Sequence, residues 1–464
     1  MFLRHFDDHP ALVDAATGTL VTYAELQTRV STCREWLGDA DSSLMFLFAD
    51  NSVRTIVAYL AGLHYGHAVA LLDPGLRSDL AARLIDTYHP RFIVGRDPGL
   101  APDYRCVTDG VARRTATAVA ISPELAVLLS TSGSTGSPKL VRLSRGNLMA
   151  SAEAVAASLS LTRDERPVTS LPLHYSYGMS VLNSHLQTGA TIVVAEPDLL
   201  APRFWDTVSD HRVTSMSGVP FTFRTLRRIG FESMDLPALT TLTQAGGRLD
   251  ERLVTEFDAL MRARGGRFYV MYGQTEASPR ITCLPPHRLA DKRGSVGVAL
   301  PGTRVLIRTA DDSPAPPGVA GAVLCTGPHV MMGYAESRAD LALGDVQGDT
   351  LDTGDVGYLD DEGFLFLTGR TKRIAKVSGV RVSLDEIEVL LGDHGPSAAL
   401  PGMTEDVVIH CAWGDEATFA AVRRELCGKL RLPSRAFTFV RVENLPLLAN
   451  GKTDYRALEA GVPA

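Results

Sequence analysis

The chain has 464 residues, 45% hydrophobic and 21% charged, and a formal net charge of −7. That balance excludes a disordered chain, which lacks the apolar residues to build a core. It also argues against a general nucleic-acid binder, which needs a net basic face to displace counterions from phosphates.

A single core stops growing at about 250–300 residues, so more than one domain is expected. In chain order, residues 44–49 read as a strand and 52–64 as an amphipathic helix after an Asp-Asn turn. A strand over 69–72 stops at Asp73-Pro74, and strands over 91–94 and 125–129 follow. Then come a strand over 190–195, helices near 204–209 and over 251–262, and a strand over 267–271. Such alternation predicts an α/β fold with largely parallel sheets and ligands at the carboxyl ends of strands. Beyond Val296, strand-like pieces at 304–308 and 323–325 are separated by Gly and Pro, as in a small antiparallel or barrel-like subdomain. From Arg373 the pattern is α+β, with helices over 384–391 and 418–430 and strands over 407–411 and 436–440. The expected division is 1–371 and 372–464.

The six cysteines include no CxxC pair and no Cys/His zinc spacing. They read as reduced thiols of a cytoplasmic protein. No leader with a basic and then an apolar region is expected. The longest apolar stretch, 55–72, is interrupted at His64, Tyr65, Gly66 and His67. A spanning helix needs about 20 continuous apolar residues, so neither a membrane nor a nucleic-acid partner is expected.

The strongest local signal is Ser130-Thr131-Ser132-Gly133-Ser134-Thr135-Gly136-Ser137-Pro138-Lys139, directly after a predicted strand. Gly133 and Gly136 permit close backbone approach. Successive amides, hydroxyls and one lysine can then form a nest for a polyphosphate. The loop is not a Walker A motif, which needs four residues between its glycines and Ser or Thr after the lysine. Further motifs follow in order. They are Ala245-Gly246-Gly247, Tyr272-Gly273-Gln274-Thr275-Glu276, Thr353-Gly354-Asp355, Gly369-Arg370, Lys372, Lys376-Val377-Ser378-Gly379-Val380-Arg381 and Asn450-Gly451-Lys452.

This ordered set resembles the adenylate-forming, AMP-binding superfamily of acyl-CoA synthetases, adenylation domains and luciferases, from Thr22-Tyr23-Ala24-Glu25-Leu26 to Lys452. The resemblance implies that the loop from Thr131 to Lys139 holds the phosphates of ATP. It implies that Ala245, Gly246 and Gly247 lie against adenine, that Tyr272 stacks on it, and that Asp355 and Arg370 face the ribose. Thr275 would reach the α-phosphate and Glu276 would hold magnesium. Lys452 would be the catalytic lysine of a small mobile cap that turns about the hinge Lys372. The segment with Lys376 and Gly379 would enter the site for the second half-reaction. The implied chemistry is acyl-adenylate formation with release of pyrophosphate, then transfer to the thiol of CoA or of a carrier protein's phosphopantetheine. Two alternatives stay open: a non-thiol acceptor or another oxyacid, and a non-catalytic nucleotide-binding scaffold.

The acid pocket is expected around 171–178, 218–221, Met271 and Ala277, with Tyr175, Ser176 and Phe221 in its wall. Related enzymes for α-amino acids place an aspartate in the first stretch. Here Ser176 stands at or near that position, and no Asp lies between Glu165 and Glu196. This argues against an ordinary α-amino acid, and the Met, Phe and Tyr of these stretches lead to the expectation of an apolar or aromatic acid. Tyr175 stands where acyl-CoA synthetases commonly have a histidine, and His174 comes one earlier. Arg280, just past Glu276, reads as a surface salt-bridge residue, with contact to a second polar group of the acid as the alternative. The chain is also short for the family, most visibly around 392–405, which leaves the thiol acceptor open.

Overall fold

The computed structural model describes residues 2, 7–38, 42–97, 103–116, 119–130, 139–370, 373–377, 380–402, 406–430, 432–448 and 452–461. The chain divides into two compact units. The first comprises Met1–Asp291, Gly297–Arg304 and Cys325–Leu351; the second comprises Lys292–Val296, Val305–Leu324 and Asp352–Ala464. The expected boundary residue, Lys372, lies outside the described residues.

The first unit is built on an eight-stranded sheet. Its centre holds Phe92–Val94, Leu44–Phe48, Ala68–Leu72 and Leu125–Ser130, all parallel. Leu44–Phe48 and Ala68–Leu72 are buried at every position. Uninterrupted apolar runs are what a parallel strand covered on both faces requires. The centre is parallel as expected, and the edges are antiparallel. Leu140–Ser144 pairs antiparallel with Leu125–Ser130, and Gly333–Ala335 adds antiparallel beside it. Val111–Arg114 and Tyr104–Thr108 make the other edge, also antiparallel. The connection from Ser130 to Leu140 is too short for a crossover, which takes a dozen or more residues, so the chain turns back as a hairpin.

A second sheet positions the candidate site. Ser215–Gly218, Thr241–Gln244 and Arg267–Tyr272 run parallel, and Thr282–Leu284 and Val298–Ala299 follow antiparallel. Helix Glu251–Ala263 feeds the third strand; the Asp250 carboxylate caps it by accepting from the amides of Arg252 and Leu253. Among the helices that the sequence reading does not name are two that bear on the site. One is Arg145–Leu159, which opens with a reciprocal capping box between Ser144 and Asn147. The other is Ser176–Thr188, buried over most of its length.

The second unit contains a four-stranded sheet in the order Arg304–Arg308, Gly321–Thr326, Thr350–Leu359, Leu365–Arg370. The last two pair antiparallel and set Asp355 opposite Arg370. After the hairpin Ile374–Val377 and Val380–Ser383 comes the α+β region expected from the sequence. Ser397–Pro401, Val407–Cys411 and Phe437–Arg441 form its sheet, with helices Leu384–Leu390 and Glu416–Leu430. Val377, Ile387, Ile409, Phe419 and Leu426 share one core. The Arg373 guanidinium ties this region together, donating to Glu388 and to the Ala399 carbonyl at 2.8 Å and to the Tyr455 hydroxyl at 2.7 Å. Among the described residues no helix is long and apolar enough to cross a membrane.

Helix Ser176–Thr188 is pressed against main chain: a Cβ at Gly178 would overlap the Pro172 carbonyl. Backbone cannot move aside as a side chain does. Gly178→Ala is therefore expected to cost ~1–3 kcal/mol of unfolding free energy, the usual scale of overpacking. Urea denaturation measures it, and an unchanged midpoint would contradict the packing described.

Candidate active site

The three strands of the second sheet run parallel in one register, with Gly218 beside Gln244 and Gln244 beside Val270, and the third continues to Tyr272. The residues leaving their carboxyl ends are therefore neighbours. Val219, Ala245 and Met271 join Tyr177, Tyr269 and Cys283 in one apolar cluster, and Tyr175 packs against it. Gly246 follows Ala245 with φ +82°, and a Cβ there would come within 2.6 Å of the Tyr175 hydroxyl. The Gly247 carbonyl accepts from the Gln244 side chain at 2.7 Å. At Gly273 a Cβ would overlap the Pro279 carbonyl. The absence of a side chain there lets the turn after Tyr272 close tightly over the following segment.

That turn sets Thr275 and Glu276 in a short 3-10 helix, Thr275–Ala277. The Thr275 and Ser176 hydroxyls are 3.1 Å apart, joining the turn to the start of helix Ser176–Thr188. The Glu276 carboxylate accepts from the Tyr334 hydroxyl at 2.9 Å. The same tyrosine ring receives the Lys139 ammonium 3.7 Å from its centroid. Glu336 lies 3.5 Å from that ammonium. Tyr334 thus holds a cation on its face and a carboxylate at its tip. Burial, and then the adjacent Glu276 charge, push its phenol above the ordinary tyrosine range, so it remains a donor. The sequence reading does not name Tyr334. Its signal is one of pairing: Ala335 sits opposite Leu140, which places the strand beside Lys139.

Other expected residues fall as follows. Tyr272, Met271 and Ala277 are buried, as is Ser176. Phe221 is 42% exposed and lies outside the apolar cluster. Asp355 is buried, and its carboxylate accepts from the Arg370 guanidinium at 2.8 Å. Leu448 N–H donates to the Lys452 carbonyl at 2.8 Å, and Leu447 bridges Thr453. Thr131, Ser132, Gly133, Ser134, Thr135, Gly136, Lys372 and Gly379 lie outside the described residues, as does the Lys376 side chain. The strands flanking the phosphate loop are described, and they pair with Ser130 opposite Leu140.

Arg280 departs from the surface salt bridge expected of it. It is 3% exposed, its guanidinium carbon lies 3.7 Å from the Tyr177 ring centroid, and its Nε has no hydrogen-bond partner. Tertiary folding puts it inside: the tight turn at Gly273 carries residues 279–280 under the strand end.

Among the described residues no three His, Cys, Asp or Glu side chains converge as a metal cage. A single carboxylate such as Glu276 nonetheless suits magnesium, which commonly takes one or two carboxylates together with substrate phosphates.

These features gather at the carboxyl ends of parallel strands. Residues 2–335 match the AMP-binding enzyme family, and the chain belongs to that family. It is 31% identical over 276 residues to the indoleacetate–CoA ligase of Aromatoleum aromaticum, covering 59% of this chain and 53% of that protein. It is 31% identical over 343 residues to the 2-succinylbenzoate–CoA ligase of Bacillus velezensis, covering 71% and 67%. The chain thus spans about half to two thirds of the length of these curated relatives. The fold matches the o-succinylbenzoate CoA synthetase of Bacillus subtilis in complex with its acyl-adenylate intermediate, with a TM-score of 0.79 and 22% identity. That match covers 97% of this chain and 95% of the other.

Tyr334→Phe deletes the donor to Glu276 and leaves the ring under Lys139. A hydrogen bond to a charged group contributes about 1.5–3 kcal/mol, so Mg-ATP affinity is expected to fall ~10-fold or more. Calorimetric titration reads the change. An unaltered dissociation constant would remove Tyr334 from the site.

Proposed function

We propose that this chain is an AMP-forming acid–thiol ligase that activates a small carboxylic acid with ATP and passes it to CoA. The observation that carries this reading is Tyr334 holding Lys139 and Glu276 together, beside the Thr275–Ser176 contact. A carboxylate for magnesium and a hydroxyl for the α-phosphate lie on one strand-end turn, and Tyr334 links them to a phosphate-directed cation, Lys139. The relatives named as acid–CoA ligases support CoA as acceptor; a carrier-protein thiol is the variant reading.

In the first step the substrate carboxylate attacks the α-phosphorus and pyrophosphate leaves. Negative charge gathers on the phosphate oxygens, and preorganised positive charge is worth most there. Lys139 and the loop from Thr131 to Gly136 serve the leaving phosphates. Thr275 donates to the α-phosphate. Magnesium bound at Glu276 would supply further charge neutralisation. Tyr272 stacks on adenine beside Ala245, Gly246 and Gly247, while Asp355 and Arg370 hold the ribose. Lys452 bridges the carboxylate and the α-phosphate, contributing orientation as well as charge. In the second step the thiol attacks the acyl carbon and AMP leaves. Rotation about Lys372 would withdraw Lys452 and bring in the segment with Lys376 and Gly379, a hinge-type exchange. Val219, Ala245, Met271, Tyr175 and Tyr177 suit an acid with an apolar or aromatic body. A cytoplasmic setting agrees with six unpaired cysteines.

Lys452→Ala is expected to slow acid-dependent ATP–pyrophosphate exchange by at least ~100-fold, the scale for losing one transition-state donor. Exchange at near wild-type rate would sink the assignment. A panel of acids with CoA, with thioester detected by mass, tests the reaction as a whole.

A further inference from the structure

Arg280 is a buried cation without a counter-charge among the described residues. Its guanidinium packs on Tyr177, and among the described residues no carboxylate pairs with it. Its neighbours are Tyr175, Tyr177 and Cys283, all members or companions of the apolar cluster. None of them neutralises it. Burial pushes the Tyr175 phenol and the Cys283 thiol up to about 12, and it raises the Tyr177 phenol as well. The Tyr177 hydroxyl is also committed, donating to the Thr243 carbonyl at 3.0 Å. A cation–π contact offsets only part of the cost of burying an unpaired ion. The open Nε and the missing counter-ion are complementary to a planar anion, which a guanidinium grips in two parallel bonds.

Two sites for negative charge can be told apart. Lys139, Tyr334 and Glu276 bind one another and belong to the phosphates in the function proposed above. Arg280 instead makes its contacts inside the cluster of Tyr177 and Cys283, where the body of the acid is placed. We propose that Arg280 binds a second carboxylate of the substrate, so that the preferred acid is a dicarboxylic acid activated at its other end. This rests on the reading of the cluster as the acid pocket. It sharpens the expectation of an apolar or aromatic acid: the body is apolar, and it carries a distal anion. The same cation repels an ammonium, in keeping with the missing aspartate near Ser176.

The test is ATP–pyrophosphate exchange with chain-matched pairs: α,ω-dicarboxylates against monocarboxylates of three to eight carbons, and carboxyphenylacetate against phenylacetate. The wild-type protein is expected to favour the diacid by about 10–100-fold in kcat/KM, the worth of a charge-assisted hydrogen bond. The preference should reside largely in KM. In Arg280→Met the ratio of diacid to monoacid should fall toward one. Arg280→Lys should keep part of it, because the charge stays while the two-pronged geometry is lost. A wild-type protein that exchanges monoacids as well as diacids would overturn this inference and leave acid activation standing. An unchanged ratio in Arg280→Met, with a lowered melting temperature, would make the arginine purely structural. No exchange with any acid would overturn the proposed function and this inference with it.

Discussion

Parallel pairing of three strands in one register is the constraint on which the candidate site depends. Gly218, Gln244 and Val270 lie side by side in the second sheet. In a parallel sheet every chain leaves on the same side, so three separate loops must begin there together. Val219, Ala245 and the turn at Gly273 are those beginnings. A slip of one residue in any strand would turn its last side chain to the opposite face. It would thereby separate Ala245 from Met271, and the Thr275–Glu276 turn from the start of helix Ser176–Thr188. The apolar cluster beneath fixes the register, because Met271, Tyr269 and Ala245 are buried in it together.

What could be read from the sequence follows from the same physics. Leu44–Phe48 and Ala68–Leu72 were legible because strands covered on both faces are uninterrupted apolar runs. Helix Ser176–Thr188 was not, because it buries polar side chains among its apolar ones. Asn183 accepts from the Tyr59 hydroxyl at 3.1 Å, and the His185 Nδ1 lies 2.8 Å from the Val181 carbonyl. Those internal partners make polarity compatible with burial and erase the 3.6-residue pattern. The antiparallel edges were hidden because a strand's own residues do not state the direction of its neighbour.

The site divides along the same line. Tyr272, Thr275 and Glu276 are local, one turn after one strand, and local spacing marks them. Tyr334 and Arg280 gain their positions from tertiary structure. Tyr334 arrives by adding a strand to a sheet edge, far along the chain from Glu276. Arg280 arrives by the folding of a glycine turn onto the backbone beneath it. A lone arginine just past a glutamate carries no sequence signal of burial, and its ordinary fate is the surface.

The contact of Gly178 with the Pro172 carbonyl bears on how the pocket can change over evolution. Where helix Ser176–Thr188 begins, the structure behind it is main chain, common to every substitution. No exchange at position 178 can deepen the cavity without moving the helix. In the acid pocket proposed above, altered selectivity would then come from replaceable side chains such as Tyr175, Met271 and Arg280.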